Sequence, residues 1–574
     1  MANYYFSATG TRSSSTSTVD DWSDANCYPQ GNIHSIVEAD GDTYVFNELL
    51  YGLGQTTYTA GGEIAFTKAV TVSTRFGALG GGAKLTRSSG GTLMSLNPDS
   101  TTTTTVNDVI LEGSGVSSSS LTLSSSIVSK VIVLNRVKFS NSPSAGPCIA
   151  FSQECGSVTI NDMEVSGTIT QSFLFGAATL GTTAAMSVTI DGVAFNSVTA
   201  TAGAGIYGIL LRKGNVANVV TVDISNVTGS LNATVANGAP QGIQVQGCNN
   251  VKIHDNNFTV SNISVVTCYG INAYGLDATN RLTDRAKIYR NTVNFHCRAG
   301  DAISAGTDAE TGLGYTTNPR IYGNTAVGQA SIADTPHGIC LRGLASGRIF
   351  ANKIKRLHSP LMLSLCTNDN VMAYGNLIYD CYGVVLSLKG NSGGQMHNNT
   401  AVITPNSIDG SVTLPYGIWA RVQGAVANSA SKTYNNNILW LGVAPKLYGF
   451  VLVETGSANT LSSNNYYSDQ ALSNIPFAYT GTTYASLALW NAARETTDAT
   501  ANAIFTASIA DITAAFGDLD PDEYMATALN YGEAQKWFTT NNEMEGANGQ
   551  PFPSFNIDKG ACPSHHSPWH PLNL

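Results

Sequence analysis

The sequence predicts an all-β solenoid of stacked parallel strands, and three observations lead there. A motif of the form Ile-x-x-Asn-x-apolar recurs along the 574 residues. A second element, x-Gly-Ile or a near variant, precedes most of its copies. No amphipathic helix is needed to join the strand-sized segments.

The first motif reads "IHDNNF" at Asn256, "IYRNTV" at Asn291, "IYGNTA" at Asn324 and "IFANKI" at Asn352. It continues as "AYGNLI" at Asn376, "MHNNTA" at Asn399, "TYNNNI" at Asn436 and "LSSNNY" at Asn464. The second begins at Tyr207, Gln241, Tyr269, Asp301, His337, Tyr382, Tyr416 and Tyr448, with "PLMLSLC" at Pro360 as a degenerate member. Successive intervals are 34, 28, 32, 36, 23, 22, 34 and 32 residues. The shortest match one bare turn of a solenoid, and the longer ones the same turn with an insertion. Buried asparagines at a fixed place in each turn are expected to form a ladder, each amide bonding to its copy on the next turn. Upstream, "VIVLNRVKFSNS" and "VTIDGVAFNSV" alternate in the same way with less regular spacing. This assigns residues 59–470 to the solenoid, 1–58 to an N-terminal cap, and 471–574 to a C-terminal cap with short helices and a terminal strap.

Composition agrees. Charged residues are 12% and hydrophobic ones 43%, which argues against disorder, while abundant Gly, Asn, Thr and Val suit short strands and tight turns. A net charge of −10 disfavours non-specific nucleic-acid binding, which depends on Lys and Arg against phosphate. No apolar run is long enough to span a membrane, and "MANYYFSATGTRSSS" lacks the basic and apolar regions of a signal peptide. The ten cysteines contain no CxxC pair and read mostly as buried thiols, with Cys148 and Cys155 close enough in sequence to pair.

These features resemble the right-handed parallel β-helix, or pectate-lyase-like, superfamily, which includes phage tailspikes. "SIVEADGDTYVFNELLY" near the start and "YASLALWNAA" and "NIDKGA" near the end are similar to the opening and closing segments of such proteins. The resemblance implies a polysaccharide ligand, a location on a virion or outside the cell, and assembly as a homotrimer or with other virion proteins. The family holds lyases, hydrolases and silent adhesins, so it does not choose among them.

Strand alternation assigns faces. In "HGICLRG", Ile339 and Leu341 point inward, and His337, Cys340 and Arg342 lie on the outer side. Extended to every copy, this builds one column of Tyr207, Gln241, Tyr269, Asp301, His337, Pro360, Tyr382, Tyr416 and Tyr448. A second runs through Leu210, Gln244, Asn272, Ser304, Cys340, Val385, Trp419 and Val451. A third includes Arg212, Gln246, Tyr274, Arg342, Ser387 and Arg421. Turns stack about 4.8 Å apart, close to the advance of one sugar ring, so a glycan lying along the axis meets one turn per residue. Tyr207, Tyr269, Tyr274, Tyr382, Tyr416, Trp419, Arg421 and Tyr448 are the candidate glycan contacts, offering ring surfaces and a guanidinium. A ring-on-ring ladder that only stabilises the stack is the alternative reading of the tyrosines.

Glycoside hydrolysis uses two carboxylates about 5 to 10 Å apart, and "GDAISAGTDAETG" offers Asp301 with Asp308 or Glu310. Elimination uses a base and a cation beside a uronate, for which His337 and Arg342 are the candidates. The family's lyases of this kind use Lys, Arg and often calcium. No acidic calcium-ligand set is recognisable here, and no metal or cofactor is expected. The tail "CPSHHSPWHPLNL" reads as a strap. The leading expectation is a glycan-recognising phage virion protein of the tailspike or receptor-binding type, with depolymerisation of a bacterial surface polysaccharide, by elimination or hydrolysis, left open. The alternatives are a bacterial polysaccharide lyase or hydrolase, and a purely adhesive virion protein.

Overall fold

In the computed structural model, described residues run from 2 to 494, without 8–26, 29–35, 48–56, 75–82, 89, 100, 125–129, 152–155, 170–171, 181–183, 201–205, 215–217, 234–238, 263–266, 276–285, 307–315, 317, 330–334, 380, 382, 398, 404–415, 424–425, 435–437, 442–448, 463 and 469–476. They are almost entirely strand, paired in parallel; the one helix among them is Leu487–Ala493. The expected all-β parallel solenoid is what the chain forms. It divides into two compact units, Met1–Cys268 with Leu276–Leu282, and Tyr269–Gly275 with Thr283–Leu574.

In the first unit, "NYYF" and "TYVF" near the start are already strands of the stack. Asn3–Phe6 pairs with Thr43–Phe46, and that strand pairs with Thr71–Thr74. Farther on, two strands of a turn fuse into long ones, Ser157–Ile169, Met186–Ala200 and Val220–Ala233, which pair in series. The fused strands still bend, through left-handed residues at Asp162, Gly192 and Asn226. Cys148 is a buried thiol, and Cys155, with which it was expected to pair, lies outside the described residues.

In the second unit each turn is three strands. Ala299–Gly306, Arg320–Tyr322 and Thr325–Gly328 make one turn; Thr335–Arg342, Gly347–Phe350 and Lys353–Lys355 make the next. Pairing is in register between turns. Inward side chains therefore stack as aliphatic columns. Ile288, Ile321, Ile349, Ala373 and Met396 form one, and Ile303, Ile339, Leu361, Leu386, Ile418 and Val451 another, all fully buried. Burying a side chain of this size stabilises by about 2 kcal/mol.

The asparagine ladder is present. Nδ2 of Asn291 donates to Asn324 Oδ1, Asn324 to Asn352, Asn352 to Asn376 and Asn376 to Asn399, each at 2.9 Å. The residue before each of the first four is left-handed: Arg290, Gly323, Ala351 and Gly375. That conformation turns the chain between two strands, and the asparagine amide satisfies the peptide groups that the corner exposes. Asn324, for example, also donates to the Ile288 carbonyl and accepts from the Asn291 backbone amide. A second ladder, absent from the motif analysis, links Cys366, Asn391 and Asn428 at another corner.

At the end of the described chain, Phe477–Tyr479 pairs in parallel with Gly449–Val453 and antiparallel with Thr482–Tyr484, which closes the stack. Trp490 of the helix is fully buried and lies on Phe477, 5.1 Å between ring centres. The segments "ADITAAFGDL" and "DPDEYM" and the histidine-bearing tail lie outside the described residues.

Asn324→Ala removes both an acceptor and a donor from a buried chain of amides. It should lower unfolding stability by roughly 2 to 4 kcal/mol, since each buried polar group left unsatisfied costs 1–3 kcal/mol. Denaturant titration measures this, and an exposed change such as Asn370→Ala is the control.

Candidate functional site

The x-Gly-Ile strands of the second unit form one sheet. Here Tyr269, Asp301 and His337 do stand on one column. Asp301 is paired with His337, and a Cβ on Gly270 would strike the Ala302 carbonyl, which places Tyr269 against Asp301. The same contact explains the recurrent glycine. A Cβ on Gly338 would strike the Pro360 carbonyl of the next turn.

Asp301 is the centre of the site. Its side chain is 0% exposed, while those of His337 and Arg342 are 18% and 19% exposed. One oxygen, Oδ1, accepts from Arg342 Nη2 at 2.6 Å, His337 Nδ1 at 2.9 Å and Cys340 Sγ at 3.6 Å. A carboxylate only accepts, so His337 carries its proton on Nδ1 and leaves Nε2 as a lone-pair acceptor. Arg342 Nη2 and His337 Nδ1, 3.3 Å apart, are then two donors converging on one oxygen. Oδ2 is buried without a hydrogen-bond partner among the described residues.

Burial alone would raise the pKa of Asp301, but the charge of Arg342 and the bond from His337 outweigh it and hold the carboxyl at about 2. Burial would also lower that of Arg342, and Asp301 reverses this, so the guanidinium stays charged. Burial pushes His337 down despite Asp301, and the ring is neutral at pH 7. Burial also drives the Cys340 thiol upward, helped by Asp301, and keeps it protonated.

The strand register brings in residues that the motif alignment missed. Arg342 faces Ser364, Ser364 faces Lys389, and Lys389 faces Arg421. Lys389, not Ser387, is the member of this column; Ser387 belongs to the neighbouring one, between Met362 and Trp419. Burial, then the charges of Arg421 and Arg342, pull the pKa of Lys389 down to about 8. His358 lies beside this group. Burial and the charges of His337, Arg421 and Lys389 lower it to about 3. Arg421 is lowered by burial, opposed by Glu454. Its guanidinium carbon lies 4.2 Å above the Trp419 ring, and that ring donates Nε1–H to Glu454 at 2.9 Å. Tyr416 stands 5.7 Å from Trp419.

The alignment failed because it was anchored at the wrong end. His337 faces Ser359 rather than Pro360, and Tyr416 faces Val384 and Gly449 rather than Tyr382 and Tyr448. Trp419 likewise faces Leu452 and not Val451. The constant point is the strand's far end, where Gly247, Gly343 and Gly390 are left-handed. Aligning Gln-Gly, Arg-Gly and Lys-Gly at that corner would have exposed Lys389 from sequence.

The remaining candidates scatter. Tyr207 lies in the first unit, half-buried and opposite Gln241. Tyr269 and Tyr274 are buried rather than wet, at 7% and 8% exposure. Asp308, Glu310, Tyr382 and Tyr448 lie outside the described residues. Asp301, His337 and Cys340 do bring three metal-ligating atoms within 4.8 Å of one another. Arg342 Nη2, however, lies in bonding range of the same carboxylate oxygen, and the thiol is protonated where zinc would need a thiolate at about 2.3 Å. The donor set suits a guanidinium better than a metal ion.

The class defined by these features is the parallel β-helix protein with a cation-lined outer face. No protein-family model matches the chain, and a search of curated proteins finds no match.

Asp301→Asn should lower stability by about 3 kcal/mol at pH 7, because breaking a buried pair strands its partner charge. Asp301 titrates lower in the folded state, so its stabilisation is complete above pH 4 and is lost as pH falls through about 2. Thermal melts between pH 5 and pH 2 should show a shallower acid limb in the variant; an unchanged limb would remove Asp301 from that role.

Proposed function

We propose that this protein is a glycan-recognising virion protein of the tailspike type, and that the glycan held on this face is an acidic polysaccharide. One observation carries the reading: Arg342, Lys389 and Arg421 stand on one column of a chain whose net charge is −10. Asp301, the carboxylate at the Arg342 end of that column, is already bound by Arg342 and His337. The column therefore presents positive charge to carboxylates spaced along a glycan, with Tyr416 and Trp419 beside it. The resemblance of the chain's repeats and ends to the tailspike-containing superfamily supports the virion setting.

The same geometry favours elimination over hydrolysis. Asp301 is ionised and buried, so it has no proton to give a leaving group, and the second carboxyl that a hydrolase needs is not seen beside it among the described residues, outside which Asp308 and Glu310 lie. An eliminating enzyme needs a cation at the uronate carboxylate and a base for the proton on the adjacent carbon. Arg342 and Arg421 supply the first. Lys389, with a pKa of about 8, supplies the second, since an appreciable fraction is neutral near that pH. The C–H proton passes to Lys389 Nζ, the C–H electron pair becomes the double bond, and the glycosidic oxygen departs with its electron pair and takes a proton from solvent water.

A panel of acidic and neutral bacterial polysaccharides tests this. Acidic glycans should bind, and Lys389→Met with Arg421→Ala should weaken them roughly ten- to a hundredfold, the effect of charge-assisted hydrogen bonds worth 1.5–3 kcal/mol. Neutral glycans should be indifferent to the change. Ultraviolet absorbance from an unsaturated product should rise with pH from 6 to 8 in the wild type and be absent in Lys389→Met. Reducing ends without that absorbance would sink elimination, and failure of every acidic glycan to bind would sink the reading itself.

A further inference from the structure

Elimination by Lys389, Arg342 and Arg421 leaves His337 without a task. Its ring meets Asp301 Oδ1 at 2.9 Å and Arg342 Nη2 at 3.3 Å, both through Nδ1. Nε2 makes no hydrogen bond among the described residues, and the side chain is 18% exposed. The ring is neutral at pH 7, because burial pulls its pKa down more than Asp301 raises it. With the proton on Nδ1, Nε2 carries a lone pair. Asp301 fixes where that lone pair points. Its carboxylate is fully buried and is itself held by Arg342 at 2.6 Å, so the ring is oriented before any ligand arrives.

Acceptors are scarce on this face. Lys and Arg side chains only donate. Asp301 Oδ1 is taken by three donors, and Oδ2 is buried. Ser364, between Arg342 and Lys389, is buried. Glu454, near Arg421, accepts from Trp419 Nε1 and the Val422 amide. His337 Nε2 is thus the acceptor that a ligand meets at the Arg342 end. Donors stand beside it: the contacts of Arg342 with Asp301 and His337 both use Nη2, which leaves its Nε–H and Nη1–H. An acceptor next to such donors matches a hydroxyl, which gives one hydrogen and receives others. An ammonium group would meet the repulsion of three cations. An amide N–H would use the acceptor and leave the donors unanswered. Guanidinium and imidazole are in contact, so the hydroxyl and the carboxylate that bind them fit on one sugar ring.

We propose that His337 reads a free ring hydroxyl on the uronate whose carboxylate lies at Arg342, with Asp301 as the positioning residue behind it. This rests on the reading of the face as an acidic-glycan site and narrows the ligand class: the uronate must be unsubstituted at that hydroxyl. O-acetylation removes the hydrogen that Nε2 needs and sets an acyl group against the imidazole. Esterified stretches of a polysaccharide are passed over, and bare stretches are held.

Calorimetry on the intact protein tests this with oligomers of polygalacturonate and of hyaluronan, each bare and fully O-acetylated. At least one bare oligomer should bind the wild type roughly tenfold more tightly than its acetylated form, through a hydrogen bond gained and a misfit avoided. His337→Asn keeps an amide N–H where Nδ1–H stood, so Asp301 retains its donor, and it removes Nε2. It should weaken the bare oligomer to about the affinity of the acetylated one and leave thermal melting near wild type. A merely structural His337 gives the reverse, altered melting with the preference intact. Long-range proton–nitrogen spectra of the histidine-labelled wild type give a readout that does not depend on a folded variant. They should show an Nδ1–H ring whose Nε2 resonance moves upfield with the bare oligomer and stays in place with the acetylated one. Equal affinity for the two forms, an unchanged preference in His337→Asn, or no Nε2 resonance that responds overturns the proposal and leaves the acidic-glycan reading standing. If neither bare oligomer binds, the proposal falls too, and the wider polysaccharide panel decides separately whether that reading falls with it.

Discussion

In-register pairing between successive turns governs this molecule. Once residue n sits on its counterpart of the turn before, a residue type that recurs along the chain becomes a column in space. Aliphatic columns fill the interior, and amides at the corner become a continuous chain of hydrogen bonds. The same constraint acts on charges, which have no freedom to disperse. Arg342, Lys389 and Arg421 are brought together by backbone geometry, and the lowered pKa of Lys389 results first from burial and then from that enforced proximity.

The corner asparagines were legible because their role is local and repeats. A left-handed residue followed by an asparagine whose amide satisfies the exposed peptides leaves a short, strict pattern. Strand register on the x-Gly-Ile sheet was legible only in part. Gly270 and Gly338 recur because a neighbouring carbonyl leaves no room for a Cβ, which makes them look like the fixed point. They are not, because these strands vary in length at their beginnings. "YGVVLSLKG" carries two residues more than "HGICLRG" between the tyrosine or histidine and the basic residue before the last glycine. Counting from the front therefore displaced Lys389 by two positions. Burial was not legible at all: Tyr269, which is buried, shares its Tyr-Gly-Ile with Tyr207 and Tyr416, which are half-buried, and what covers it is decided by distant residues.

Asp301 shows how a polar residue comes to be tolerated on such a sheet. Isolated, a buried carboxylate would take up a proton, because the cost of burying its charge exceeds that of neutralising it. Three donors on one oxygen reverse the balance. This arrangement also has a directional consequence. Arg342 satisfies Asp301 with one nitrogen, and its delocalised charge still reaches toward Lys389, whose pKa it helps to lower. The anion thus neutralises the local cost of the first cation without cancelling the field of the column.

That asymmetry bears on which residue is free to do chemistry. Arg342 is pinned by a carboxylate and Arg421 rests on Trp419, so both are held in place as fixed charges. His337 is oriented by Asp301, with its remaining nitrogen available as an acceptor. Lys389 has a cation on either side along its column and a neutral serine, Ser364, between it and Arg342. Repulsion from both sides favours its neutral form, and an anion bound between the arginines relieves that repulsion. Under the proposed elimination, a glycan carboxylate placed there would raise the proton affinity of Lys389 while lowering its neutral fraction at a given pH, and an uncharged glycan of the same shape would leave it unchanged.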